Sequence, residues 1–545
     1  MAAKDYSDLT REQLIGLLKA RDQRTRFGLV WEANEITRDR ALNGDFVALD
    51  LVPELSCGPA PWRNLIIEGD NFDALRHLRM AFAGQVKCIY IDPPYNTGNR
   101  DFVYNDRFVD REDAWRHSLW CEFMFQRLML ARDLLTPDGA IVVSIDDNEV
   151  FSLGLLMKRV FGENAFIATC IWQKRYSREN REAIGDAHEY LLVFAPNPEL
   201  FKARRGRIPL AEKQMEIFKN PNNDPAGPWA TVSMSAQGFR PNQMYEIVAP
   251  NGNVHRPPEG RCWSTIQSEY EKLRAKGRIH FGKDGNGVPR MIRYLSEVDG
   301  LVPWTWWPHE EVGHTDEARK EIQQIFGTQT AFTTPKPVRL IERVLRIACG
   351  PNDLVLDFFA GSGTTGHTIA KLNSEDGGRR RFILVSNTEA TSDEPGKNLC
   401  RDVCAERVRR VMNGYTNAAG EAVPGLGGDF AYLRTRRIAP GKLLEIDHAQ
   451  VWTALQLAHG ETVAPFADAP FLWSGNEDEA VCYVPRFRRE DAPALRRAVE
   501  RSASVALYSW QPQALGQHVR AGNVAHLAIP ETLARRFGLH RGGKP

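Results

Sequence analysis

The chain has 545 residues, enough for about three or four domains, and 43% of them are hydrophobic, enough to fill their cores. A net charge of +1 excludes a polycation, so contact with nucleic acid would have to come from local basic patches. Nine cysteines, an odd number of which several sit in apolar runs, with no signal peptide and no apolar stretch of membrane-spanning length, give the expectation of reduced core thiols in a soluble cytoplasmic protein without a membrane partner.

In chain order, Thr10 and Gln13 form a capping-box signature ahead of Leu14, Leu17 and Leu18 at helical spacing, within an N-terminal segment 1–45. An α/β alternation then begins: strand 65–67, helix 72–82, strand 86–91, helix 112–135, a turn at Thr136-Pro137-Asp138-Gly139, and strand 140–145. This pattern predicts a doubly wound, mainly parallel sheet, with ligands beyond the carboxyl ends of strands. Between residues 170 and 332 the alternation breaks down. Basic residues (Lys174, Arg175, Arg178, Arg181, Lys202, Arg204, Arg205, Arg207) mix there with Trp263, Trp304, Trp306 and Trp307, which reads as an inserted domain. The alternation resumes at 333–414. Pro337 is expected to open a helix carrying Leu340, Ile341, Val344, Leu345 and Ile347, followed by strands 354–357 and 382–385. The Gly-rich stretch 425–428 then marks off a tail, 415–545, with strand signals at 504–510 and 524–529 and a helix signal at 492–502, a small α+β domain.

Two motifs carry chemistry. Asp92-Pro93-Pro94-Tyr95 follows the apolar strand 86–91. An exocyclic base amine is a poor nucleophile because its lone pair is delocalised into the ring, and acceptors for both of its N–H groups localise that pair. Asp92 offers one acceptor and the Pro93 carbonyl a second, since prolines hold the chain extended and carry no N–H. Tyr95 offers a face for a base flipped out of a duplex. A plain strand-ending turn is the competing reading. The second motif follows strand 354–357: Asp357, then Phe359-Ala360-Gly361-Ser362-Gly363-Thr364, a glycine turn opening a helix. Gly361 and Gly363 let backbone approach a ligand, and the helix start presents free N–H groups. The loop lacks both the dinucleotide spacing and a Gly-Lys-Ser/Thr, so S-adenosylmethionine suits the two motifs together. Cys400 and Cys404 share a helix face without a second pair at ligand spacing, so no metal is expected.

With the tetrapeptide ahead of the glycine loop, the chain resembles the beta group of DNA amino-methyltransferases. Further blocks extend the likeness from about Leu65 to Arg410: Ile66-Ile67-Glu68-Gly69-Asp70-Asn71, His188-Glu189-Tyr190, Gly313-His314-Thr315, Thr334-Pro335-Lys336-Pro337 and Arg381-Phe382-Ile383-Leu384-Val385. Together they resemble the methylation subunit of type III restriction-modification systems. The resemblance implies a permuted class I methyltransferase fold with a target-recognition insertion. It also implies methylation of adenine N6 in double-stranded DNA, since Asp heads the tetrapeptide, and as partners a homodimer mate and a restriction helicase-nuclease. It places Asp70 near the cofactor adenine and Glu389 on the ribose hydroxyls, with helix capping as the other role for Asp70. It places Asp357 on the cofactor amino group and Lys336 on its carboxylate, against a turn cap and a surface lysine respectively. Cytosine N4 as target, or a non-catalytic recognition subunit, are the rival readings.

Overall fold

The computed structural model describes residues 10, 11, 14, 15, 45–98, 103, 104, 107, 108, 116–177, 183–210, 212–327, 332, 334–391, 394–529 and 531–537. Gln13, Leu17 and Leu18 of the expected N-terminal helix, and Arg178 and Arg181, lie outside them.

Ten strands form the main sheet: β1 (Phe46–Leu51), β2 (Leu65–Glu68), β3 (Val86–Ile91), β4 (Leu135–Ile145), β5 (Phe166–Gln173), β6 (His188–Phe194), β7 (Trp306–Trp307), β8 (Leu354–Asp357), β9 (Arg381–Ser386) and β10 (Ala431–Ile438). Their spatial order is β1-β10-β2-β9-β8-β3-β4-β6-β5-β7. The run from β10 to β4 is parallel, while β1 and β6 join antiparallel to their inner neighbours. The inner strands are buried on both faces, which is why they read as unbroken apolar runs such as Leu354-Val355-Leu356. Helices α1 (Asn71–Phe82), α2 (Arg116–Leu134) and α3 (Val150–Phe161) cover one face through Leu78, Trp120, Met124 and Leu153. On the other face α4 (Val338–Ala348), α5 (Thr364–Asp376) and α6 (Glu406–Asn413) contribute Leu340, Val344, Ile369 and Val408. The result is the expected doubly wound α/β sheet.

Several boundaries differ from those expected. The segment Thr136–Gly139 is no separate turn but a bulged part of β4: Val86 pairs with Leu135 and Cys88 with Ala140, and the intervening residues are held by the Lys87–Asp138 ion pair at 2.8 Å. Pro337 is the extended residue before α4, not its first helical position, and the helix begins at Val338. Most of 170–204 and 305–332 stays with the main body. There β5 and β6 pair antiparallel and need no crossover helix, and β7 adds to β5. The separate compact unit is 205–304. It holds a three-stranded antiparallel sheet (Ile279–His280, Arg290–Tyr294, Trp229–Ser233) and its own core of Met234, Ile247, Trp263, Tyr270 and Phe281.

Downstream of the Gly-rich stretch, β10 returns to the main sheet, so the distinct C-terminal region starts after Ile438. Its four-stranded sheet, Leu472–Gly475, Glu479–Val484, Ser504–Ser509 and Val524–Ala528 in that order, is parallel except for the first pair. The helix His448–His459 and residues Tyr483, Tyr508 and Leu533 share a core with Phe46 and Val47 of β1. All nine cysteines are buried and unpaired, and no cluster of three metal-ligating side chains occurs among the described residues. No described helix is long and apolar enough to cross a membrane.

Candidate active site

Asp92 stands at the carboxyl end of β3 and Asp357 at that of β8, its sheet neighbour, so both motifs open on one edge of the sheet. The tetrapeptide is held from behind. Trp120 Nε1, on the fully buried face of α2, donates to the Pro94 carbonyl at 2.7 Å. Asn96 adopts φ 58°, and its amide donates to Glu149 Oε1 at 2.5 Å, which also meets His117 Nδ1 at 2.6 Å. No described residue donates to the Pro93 carbonyl.

In front of the tetrapeptide lies a charge cluster. Lys336 Nζ donates to both Asp92 oxygens at 2.8 Å and to the Tyr95 hydroxyl at 2.9 Å, and lies 3.3 Å from Glu189 Oε2. The Tyr95 hydroxyl sits 2.8 Å from Asp92 Oδ1 and 2.9 Å from Glu189 Oε2. It has one proton for two carboxylates, so Lys336 must satisfy the rest. Lys174 reaches the other Glu189 oxygen at 3.4 Å and Asp186 at 2.7 Å. Burial pushes the Asp92 carboxyl above the usual carboxylate range against the pull of Lys336, and Glu189 adds to that push. Burial also opposes the Lys336 charge, but Asp92 and Glu189 outweigh it and hold the ammonium above its ordinary value.

The glycine loop is pinned through its hydroxyls. Gly361 and Gly363 have φ of 49° and 75°, and a Cβ on Gly363 would meet the Cys404 carbonyl at 2.9 Å, so only glycine fits. Asp357 accepts Phe359 N–H at 3.1 Å and the Thr365 hydroxyl at 2.6 Å. Burial pushes its carboxyl up to about 7, against those two hydrogen bonds. Arg407, fully buried on α6, donates to Ser362 Oγ at 3.1 Å and Thr364 Oγ1 at 2.7 Å.

Residues 86–389, more than half of the chain, match the family described as DNA methylase. The chain belongs to the DNA methylase family. It is similar to the type III restriction-modification enzyme StyLTI Mod subunit of Salmonella typhimurium, 37% identical over 384 residues covering 64% of this chain and 57% of that protein. The Escherichia coli EcoP15I Mod subunit is 31% identical, over 64% of this chain and 63% of its own length. The chain thus spans less than two thirds of either Mod relative. The type II methyltransferase M.KpnI of Klebsiella pneumoniae is 31% identical over 70% of this chain and 96% of its own.

The other anticipated site residues have partners of their own. Asp70 caps α1 by accepting from Phe72 and Asp73 N–H, and Arg127 joins it at 3.1 Å. Glu389 is exposed, at φ 51°, and paired with Lys397 at 3.0 Å. Lys336 does not turn its ammonium to the glycine loop: only its carbonyl meets Thr364 Oγ1, at 3.3 Å, while Nζ is committed to Asp92 because two carboxylates face it there. In the basic stretch, Lys174 is taken by Asp186 and Glu189, and Arg204 by Asp138 at 2.8 Å. Trp263 and Trp307 are buried, while Trp304 and Trp306 are exposed. Sequence reading assigned no role to Glu189, Trp120, Glu149 or Arg407. The His188-Glu189-Tyr190 block, and the place of Arg407 three residues after Cys404 and four before Val411 on one helix face, were the available signals.

Proposed function

We propose that this chain transfers the methyl group of S-adenosylmethionine to the N6 amine of adenine in double-stranded DNA. In this reading it is the modification arm of a restriction system, working as a homodimer with a helicase-nuclease partner. The observation that carries the reading is the meeting of Asp92 and the glycine loop on adjacent parallel strands. The loop suits the cofactor in two respects: its two left-handed glycines give a tight turn with backbone open to close approach, and the Asp357 carboxyl lies beside it. Residues 359–364 would hold the methionine portion and Asp357 the amino group, with Asp70 and Glu389 turned to the nucleoside. When bound, S-adenosylmethionine supplies an electrophilic methyl. The chain does the rest by positioning. Asp92 and the Pro93 carbonyl accept the two amine N–H groups, Tyr95 flanks the base, and Asp92 takes the surplus proton. Unit 205–304 is assigned to target recognition. Incubating the protein with labelled cofactor and mixed-sequence duplex DNA is expected to yield N6-methyladenine; N4-methylcytosine, or no label with cofactor bound, would overturn the reading.

Asp357 makes cofactor binding depend on pH. Its carboxyl, raised to about 7 by burial, must be ionised to pair with an ammonium group. Cofactor affinity should therefore rise up to tenfold per unit between pH 5.5 and 6.5 and flatten beyond 7. Calorimetric titration across that range checks this, and Asp357→Asn should remove the slope. For folding the sign is opposite: a raised carboxyl stabilises fully below its unfolded value of about 4, and that contribution is lost as pH rises through 7.

A further inference from the structure

We propose that Lys336 is a positioning residue for methyl transfer, bridging Asp92 and Glu189 so that the Asp92 carboxylate stays ionised, and hence able only to accept hydrogen bonds, when the target amine arrives. The inference rests on the methyltransferase reading above and gives Lys336 a place apart from the cofactor.

Geometry comes first. Asp92 and Glu189 both lie within 3 Å of the single Tyr95 hydroxyl, so they are close neighbours in a site with little water. Two carboxylates sharing such a site repel, and one of them takes a proton unless a cation intervenes. A protonated Asp92 would present an O–H to the amine where an acceptor is needed. Lys336 supplies the cation, with a side chain only 10% exposed and three N–H groups spread over Asp92, Glu189 and Tyr95.

The surroundings leave it little help. Glu189 has a second cation in Lys174, but Lys174 is shared with Asp186. Asp357 on β8 and Asp146 at the end of β4 add negative charge to the same region, and Tyr90 on β3 is bonded to Ser144 at 2.9 Å. Among the described residues Asp92 is thus balanced by Lys336, while a quarter of its side chain stays open to an incoming base. The flanking prolines and the bond from Thr364 to the Lys336 carbonyl fix the base of the lysine, and its ammonium lies 5.1 Å from the Tyr95 ring centroid and 5.8 Å from that of Trp172.

The test is the pH profile of kcat/KM for methyl transfer in Lys336→Met, Lys336→Arg and Glu189→Gln, with cofactor affinity measured alongside. The acid limb should move up by at least one pH unit in Lys336→Met, stay near wild type in Lys336→Arg, and move down in Glu189→Gln, with cofactor affinity within threefold throughout. Loss by the same factor at every pH would reduce Lys336 to a structural role, and a tenfold loss of cofactor affinity would return it to the cofactor; either overturns the proposal. A second readout needs no turnover. In protein carrying 13C-carboxyl aspartate, assigned with Asp92→Asn, the Asp92 carboxyl should titrate at least one unit higher in Lys336→Met than in wild type, and an unchanged midpoint would refute the idea. If wild-type protein methylates nothing, the functional reading fails while this titration still decides the role of Lys336.

Discussion

Asp92→Asn is expected to lower the single-turnover rate of methyl transfer about 10³-fold, roughly 4 kcal/mol, while cofactor affinity changes by no more than a few fold. The amide keeps the size of the side chain and one acceptor oxygen, but it adds an N–H pair where the amine needs acceptors and cannot take the surplus proton. Cofactor binding should persist because the Asp92 oxygens are bonded to Lys336 and Tyr95, not to the glycine loop. Lys336 keeps Glu189 as a counter-charge in this variant, so the fold should survive. Quenched-flow transfer and calorimetric cofactor titration on one preparation separate the two effects. A variant with wild-type rate would remove Asp92 from the centre of the mechanism.

Arg407→Ala should cost roughly 3–5 kcal/mol of stability and at least tenfold in cofactor affinity. The guanidinium is fully buried, and burial pulls it down to about 10, so it remains charged near neutral pH. It anchors the Ser362 and Thr364 hydroxyls, lies 3.3 Å from His367 Nδ1 and is 3.8 Å from Glu321. Truncation would take the cationic donor from two buried hydroxyls and open a cavity beneath the loop. Arg407→Lys should fall between, since it restores charge but not the planar fork that spans Ser362 and Thr364. Thermal melts and cofactor titration report the two consequences, and if both are unchanged the loop is not anchored by this residue.

Much of this was legible where chemistry is local. The apolar run 86–91 ending at Asp92, and the run 354–357 ending at a glycine turn, are strand-turn signals complete within a few residues, and both appear at those positions. The meeting of Lys336 with Asp92 and Glu189 was not legible, because it joins residues far apart in the chain through sheet order alone, and Lys336 was expected on the cofactor side. Breakdown of the α/β alternation after residue 170 reads as a new domain, yet β5 and β6 extend the sheet antiparallel, an arrangement that leaves no helical period between strands. The same blindness hid β10, whose partner β2 lies near the other end of the chain.

That sheet order bears on how the protein comes into being. β3 and β8 are neighbours in space but separated by roughly 270 residues, so a growing chain at about 5–20 residues per second carries β3 with β4 but without β8 for roughly 15–50 s. Pairing across such a gap is among the slower steps of folding, since the whole intervening loop must be closed first. No chain that stops short of the glycine loop can hold both motifs together, and the two meet only once β8 has docked beside β3.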